Sequence, residues 1–232
     1  MEILTDIPFE LDSDALAKYL RIKPDTEDAR EFGDFLDKAR AVGRPKAVFM
    51  ECYVEGRGDD SVNIAGVTFT SRALRANLDR VERVFPYVAT CGDELAGLDI
   101  PADDIIKRFW LDTIQGTLLS FSTSHLKAHL TGKYRLGKTA TMSPGSGDVM
   151  VWPIEQQREL FSLLGDVKSL IGVELTDSCF MLPIKSVSGI RFPTEVGFES
   201  CQLCHREDCP SRSAPFDRQL WHSIQDGLKP ET

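Results

Sequence analysis

Ala15, Leu16, Tyr19 and Leu20 share one face if residues 12–21 are wound as a helix, because positions three and four apart stack on a helix surface. Thr26 is placed to cap a second helix reaching residue 41, and Gly43 and Pro45 stop it. Residues 47–54 and 62–70 are rich in strand formers, and the acidic, glycine-containing stretch 55–60 reads as the link between them. A helix over 71–81 and a strand over 84–90 follow. The longest helix is expected over 102–129, with Pro101 suited to its first turn. Ile105, Ile106, Phe109, Trp110, Ile114, Leu118 and Phe121 give it a broad apolar face. Residues 133–151 have no period and carry Gly137, Pro144, Gly145 and Gly147, so they read as a loop. A helix over 153–164 and short strands over 179–182 and 187–192 complete the pattern. Periodicity fades after Pro193, and residues beyond about 220 read as a frayed tail.

Strands and helices interleave in this order, which predicts an α+β fold. A mixed or antiparallel central sheet would carry flanking helices. The expected division is a helical segment at 1–44, a core at 45–192, a cysteine-bearing extension at 193–220 and a tail at 221–232.

Composition narrows the function. The chain has 232 residues, 42% hydrophobic and 27% charged, and 27 Lys plus Arg against 36 Asp plus Glu give a net charge of −9. Such a balance offers no electrostatic footprint for nucleic acid. No apolar run approaches the roughly 18 residues of a membrane span. The first residues lack the basic-then-apolar order of a secretory signal, so a cytoplasmic, reducing setting is expected. In that setting a cysteine cluster suggests metal more than disulfides. Cys201-x-x-Cys204-x4-Cys209-Pro210 is such a cluster. Three thiolates at this spacing form three corners of a tetrahedral site, and both zinc and an iron–sulfur cluster fit. His205, His222 and Cys179 are candidates for the fourth ligand.

The segment Ser143-Pro144-Gly145-Ser146-Gly147-Asp148 precedes a helix, and glycines there let a backbone approach a ligand. It is followed in order by Trp152-Pro153, Gln157 to Leu164 (QRELFSLL), Leu175-Thr176-Asp177-Ser178, Met181-Leu182-Pro183 and Ser186-Val187-Ser188-Gly189. This ordered set resembles the reactivation domain of vitamin B12-dependent methionine synthase. It looks most like the compact, free-standing form of that domain. A looser match extends upstream through Phe85 to Gly92 (FPYVATCG) and the long helix. The resemblance implies reductive reactivation of a cobalamin-dependent methyltransferase, with S-adenosylmethionine as methyl donor. It also implies a corrinoid-bearing partner and a low-potential electron donor. Cobalamin would sit on the partner.

By the same resemblance, Thr141, Ser143, Pro144, Gly145, Ser146 and Gly147 would line the S-adenosylmethionine site. The family carries Arg and Tyr where this chain has Thr141 and Ser146. A hydroxyl cannot replace a bidentate guanidinium grip on a carboxylate, so weak binding is expected. Lys133, Arg135 and Lys138 lie near enough in sequence to substitute. The residues also allow a metal-bearing electron-transfer or adaptor protein for a corrinoid protein, without methyl transfer of its own, or a silent scaffold.

Ser186, Ser188 and Gly189 are either ligand contacts or a small-residue strand packed under a helix. Asp177 and Ser178 suit a turn cap. His125 and His129 share a helix face but have no third ligand nearby, so they read as solvated. Cys91 reads as a small buried residue rather than a reactive thiol.

Overall fold

The computed structural model describes residues 1–148, 150–210 and 212–225. In chain order the elements are β1 (Glu2–Leu4), α1 (Ser13–Tyr19), α2 (Glu27–Val42), β2 (Lys46–Phe49), β3 (Cys52–Arg57), β4 (Ser61–Ile64), β5 (Val67–Thr70), α3 (Arg72–Asn77) and β6 (Arg83–Thr90). Then come α4 (Ile105–Tyr134), β7 (Thr139–Met142), α5 (Gln157–Leu164), α6 (Val167–Ile171), β8 (Glu174–Leu175), β9 (Met181–Leu182), β10 (Ser186–Pro193) and α7 (Arg218–Gln225).

Eight strands form one curled antiparallel sheet, with helices on both faces. The α+β expectation holds in its antiparallel form. The central strand is β6, almost wholly buried. One of its edges takes β2 and then β3, and the other takes β10, which in turn carries β7. The stretch expected as one strand over 47–54 is therefore two, and the Met50 N–H still reaches the Pro86 carbonyl at 3.0 Å across the break. The stretch 62–70 is also two strands. Ala65 and Gly66 both take positive φ (49° and 81°) and turn β4 back into β5. A two-residue turn with both φ positive matches the twist of a hairpin.

Side chains alternate across a strand, and the register divides the core accordingly. Ala47, Phe49, Phe85, Tyr87 and Ala89 meet the second half of α4 through Leu126 and Leu130. On the opposite face Val48 and Val88 meet Leu164, Val167, Ile171 and Val173. The first half of α4 packs instead against α1 and α2, through Trp110, Ile114 and Leu118 against Phe32, Phe35 and Leu36. The Thr26 cap falls where expected, its Oγ1 accepting from the Ala29 N–H at 3.2 Å. Helix α4 instead starts after Asp104, whose Oδ1 accepts from the Lys107 N–H at 2.9 Å, so Pro101 lies outside the helix.

The broad apolar face of α4 needs correction. Its buried positions are Trp110, Ile114, Leu118, Ser122, Leu126 and Leu130, a row at intervals of four. Ile105, Ile106 and Phe109 are 78%, 63% and 54% exposed. The helix starts before the core does, so its first turn finds nothing to bury against. The expected loop 133–151 also changes: it begins with the last turn of α4 and contains β7, whose Ala140 and Met142 are buried. Four residues are too few for a sequence period to show. Residues after 193 pack on the main core. Phe198 and Leu203 are buried in one cluster with Phe69, Trp152 and Phe192, and Leu220, Trp221 and Ile224 lie against it. The expected tail from 221 begins as the second half of α7; residues 226–232 lie outside the described residues. No helix among the described residues is long and apolar enough to cross a membrane.

Candidate functional site

β10 carries two kinds of residue on its two faces. Ser186, Ser188, Ile190 and Phe192 are buried beneath α5 and its neighbours. Ser188 Oγ donates to Gln157 Oε1 at 3.1 Å, and Gln157 Nε2 donates to the Cys179 carbonyl at 3.1 Å. Ser186 Oγ donates to the Pro183 carbonyl at 2.7 Å and lies 2.9 Å from Thr90 Oγ1. Both serine hydroxyls thus have hydrogen-bond partners inside the protein.

Gly189 and Arg191 lie on the other face. Gly189 stands opposite Tyr87 of β6, and Arg191 stands between Phe85 of β6 and Thr141 of β7. A Cβ at position 189 would sit 2.6 Å from the Met142 carbonyl and 2.7 Å from Ser143 Oγ. Only a bare backbone lets the end of β7 and the start of the loop lie down on the strand. Glycine here therefore sets where Thr141 and Ser143 go.

The result is a polar cluster on an otherwise apolar face: Tyr87, Thr141, Ser143 and Arg191. Tyr87 is buried. Burial pushes its phenol up from its ordinary range, against the opposing pull of the Arg191 charge and the Ser143 and Thr141 hydroxyls. The phenol therefore keeps its proton and can donate. The Thr141 hydroxyl is near it but completes no hydrogen bond of normal geometry, and is itself buried. Arg191 Nη1 donates to Thr139 Oγ1 at 2.9 Å, while its buried Nε has no partner. Burial pulls the guanidinium down from its ordinary value, and the negative charge of Glu199 opposes that shift.

The loop itself is tied internally. The Gly145 N–H donates to the Trp152 carbonyl at 2.8 Å and the Ser146 N–H to the Ser143 carbonyl at 3.1 Å. These two donors are therefore not free to cradle a ligand. Gly145, at φ 76°, leaves no room for a Cβ against Ile154. Trp152 is fully buried and anchors the loop's far end, its Nε1 donating to Gln156 Oε1 at 3.0 Å. Two surface cavities, of about 360 and 580 Å³, lie at the N-terminal helices and the start of α4. The loop lines neither of them.

The cysteine-bearing segment covers the loop's outer end. A Cβ on Gly147 would meet the Ser200 carbonyl at 3.2 Å and Cys204 Cβ at 3.9 Å. His205 Nδ1 lies 3.2 Å from Asp148 Oδ2, and its ring packs on Phe216 and Trp221 at 4.4 and 4.5 Å. Cys201, Cys204 and Cys209 are half-buried. Among the described residues no three His, Cys, Asp or Glu side chains converge closely enough to hold a metal ion. The expected zinc or iron–sulfur ligands are thus near in sequence but do not fit a metal centre in this arrangement, and no step below runs through one. Cys201 Sγ instead accepts from the Ser213 N–H at 3.4 Å, with the Ser213 hydroxyl 3.5 Å away. That hydroxyl and N–H hold the thiol below its ordinary value.

The cations expected to replace a loop arginine are placed elsewhere. Lys133 pairs with Glu2, and Arg135 caps α4 in the left-handed conformation. Lys138 is exposed beyond the helix end. His129, expected to be solvated, is half-buried and packs on the Phe49 ring at 5.7 Å. Arg191 was not singled out from sequence. Its signal is an arginine set between Ile190 and Phe192 in an apolar strand, two residues from a glycine on the same face.

No family model and no curated protein matches this sequence. Among solved structures the chain is similar to one described as the MetH reactivation domain bound to AdoHcy. The identity is 15%, the TM-score 0.54, and the match covers 96% of this chain and 80% of that one. The fold is the one that the resemblance in sequence implied.

Proposed function

We propose that this chain binds an S-adenosyl ligand and serves the reactivation of a cobalamin-dependent methyltransferase of the methionine synthase kind. The observation that carries the reading is a fold shared over 96% of the chain with a domain described as bound to AdoHcy. The ordered motifs from Ser143 to Gly189 support it independently.

In this reading S-adenosylmethionine lies against the face of β10 that carries Gly189 and Arg191, where β7 meets the Ser143 loop. The corrinoid, carried by the partner protein, supplies the metal that accepts the methyl group. A separate low-potential donor supplies the electron. The residues of this chain supply position. Tyr87, Ser143 and Thr141 offer hydroxyl donors, and the sheet positions Tyr87 and Thr141 before the ligand arrives. Fixing donor and acceptor in line removes much of the entropic barrier to a bimolecular transfer.

The test has two stages. Calorimetric titration with S-adenosylhomocysteine and S-adenosylmethionine reads binding alone. Methylation of an oxidised corrinoid on a candidate methyltransferase, with a chemical reductant and labelled S-adenosylmethionine, reads the reaction. Label transfer that depends on this chain supports the proposal. Absence of binding to either ligand refutes it.

A further inference from the structure

Arg191 is a cation without a counter-ion. Its Nη1 serves Thr139, its Nε is buried and idle, and the Thr141 hydroxyl directly across the ladder is also buried and incompletely bonded. Glu199 influences its charge, but no ion pair joins Arg191 to Glu199 or to any other carboxylate among the described residues. Buried polar atoms are nearly always satisfied, and an idle one calls for a missing partner. A desolvated guanidinium with a free edge costs stability unless an anion completes it.

The surroundings define the anion. One guanidinium presents parallel N–H donors suited to a two-oxygen, planar acceptor. Thr141 stands directly opposite it in the ladder, and the Tyr87 phenol, which the Thr141 and Ser143 hydroxyls adjoin, feels its charge. The close approach over Gly189 brings these groups to one spot on the sheet. One cation with neutral donors balances a single negative charge, as a carboxylate carries, and not the two of a phosphate monoester.

We infer that Arg191 holds the carboxylate of the amino-acid end of the S-adenosyl ligand, with the Thr141 hydroxyl as its neighbouring donor. This inference rests on the proposed function and assigns the charge that position 141 lacks to the adjacent strand. It replaces the expectation of weak binding drawn from Thr141: the grip is moved across the β7–β10 ladder.

The experiment compares two ligands on three proteins. Calorimetry is run with S-adenosylhomocysteine, which has the carboxylate, and with 5′-methylthioadenosine, which lacks the amino-acid group. The proteins are wild type, Arg191→Met and Arg191→Lys, each checked for folding by near-ultraviolet circular dichroism. Arg191→Met is expected to weaken S-adenosylhomocysteine about 10- to 100-fold, the range for one lost charged hydrogen-bonding contact. It is expected to leave methylthioadenosine within about twofold. Arg191→Lys is expected to recover part of the loss, because the charge returns without the fork. Should Arg191→Met fail to fold, Thr141→Val tests the same spot, with selective loss for S-adenosylhomocysteine expected. Unchanged S-adenosylhomocysteine affinity, or equal loss of both ligands, in a folded variant overturns the role of Arg191 and leaves the proposed function standing. No binding of either ligand by wild type overturns both.

Discussion

Two half-buried arginines in this protein do opposite things. Arg212 sits in the C-terminal segment, where almost no regular structure exists. Its Nη1 donates to the carbonyls of Cys201 (3.2 Å) and Ala214 (3.0 Å), and its Nη2 to those of Cys204 (3.0 Å) and Arg206. One guanidinium thus stands in for the hydrogen-bond ladder that the segment lacks. Arg191 lies in a sheet whose backbone is already paired on both sides. There the side chain is not needed to hold the fold, and its Nε is idle. The same chemical group is structural where the backbone is unsatisfied and free for recognition where the backbone is complete.

The sharpest way to break this comparison is to remove Arg212. Arg212→Met leaves four carbonyls short of a donor. With roughly 1.5–3 kcal/mol per charged hydrogen bond and partial replacement by water, the segment is expected to lose about 2–4 kcal/mol of local stability. Amide hydrogen exchange over 199–217 reads that loss. Unchanged protection there would show that packing of Phe198 and Leu203 suffices without the arginine.

A second contrast lies in the thiols. Burial pushes Cys52 and Cys91 up to about 11, whereas the Ser213 hydroxyl and N–H hold Cys201 below the ordinary 9.0. At pH 8 a larger fraction of Cys201 than of Cys52 or Cys91 is therefore thiolate, and its reactivity follows. Iodoacetamide mapping by mass spectrometry is expected to find Cys201 labelled long before Cys52 and Cys91. Ser213→Ala should slow that labelling. Equal rates for all three thiols would contradict the assignment.

Gly189→Ala strikes the sheet side. Its Cβ would fall 2.6 Å from the backbone carbonyl of Met142, which cannot move without parting β7 from β10. Forcing a methyl into such a contact costs about 1–3 kcal/mol, read as a lower midpoint in urea. The smallest effect is expected from Arg191→Met. A desolvated cation is exchanged for an apolar side chain of similar length, so the midpoint should shift by under about 1 kcal/mol or rise. A large loss would make Arg191 structural, like Arg212, and end the comparison.

Much of the architecture was legible in advance for a physical reason. Long amphipathic helices and the apolar strand β6 carry their own periods, so α2 and β6 are legible to within about a residue. Helix α4 is found but starts three residues later and ends five residues later than its pattern suggests, and α5 starts at Gln157 rather than Pro153. Elements of three or four residues carry no period, and β1 and β7 exist only because a neighbouring strand offers a ladder. One turn hid inside the strand-like run 62–70, because a residue such as Ala65 leaves no signal when it takes positive φ.

The site divides in the same way. Sequence alone determined the α+β class, the resemblance carried by the ordered motifs between Ser143 and Gly189, and the absence of an arginine at position 141. It placed the serines of β10 and Gly189 together as one candidate set, although their faces differ. Tertiary structure decided which face each residue takes, that the loop's Gly145 and Ser146 N–H groups are already bonded, and that the three cysteines do not converge. It also decided that Arg191 lies beside Thr141, fifty residues later in the chain. Residues that meet through a strand register share no local pattern, because the register is set by the burial of whole faces rather than by their neighbours in sequence.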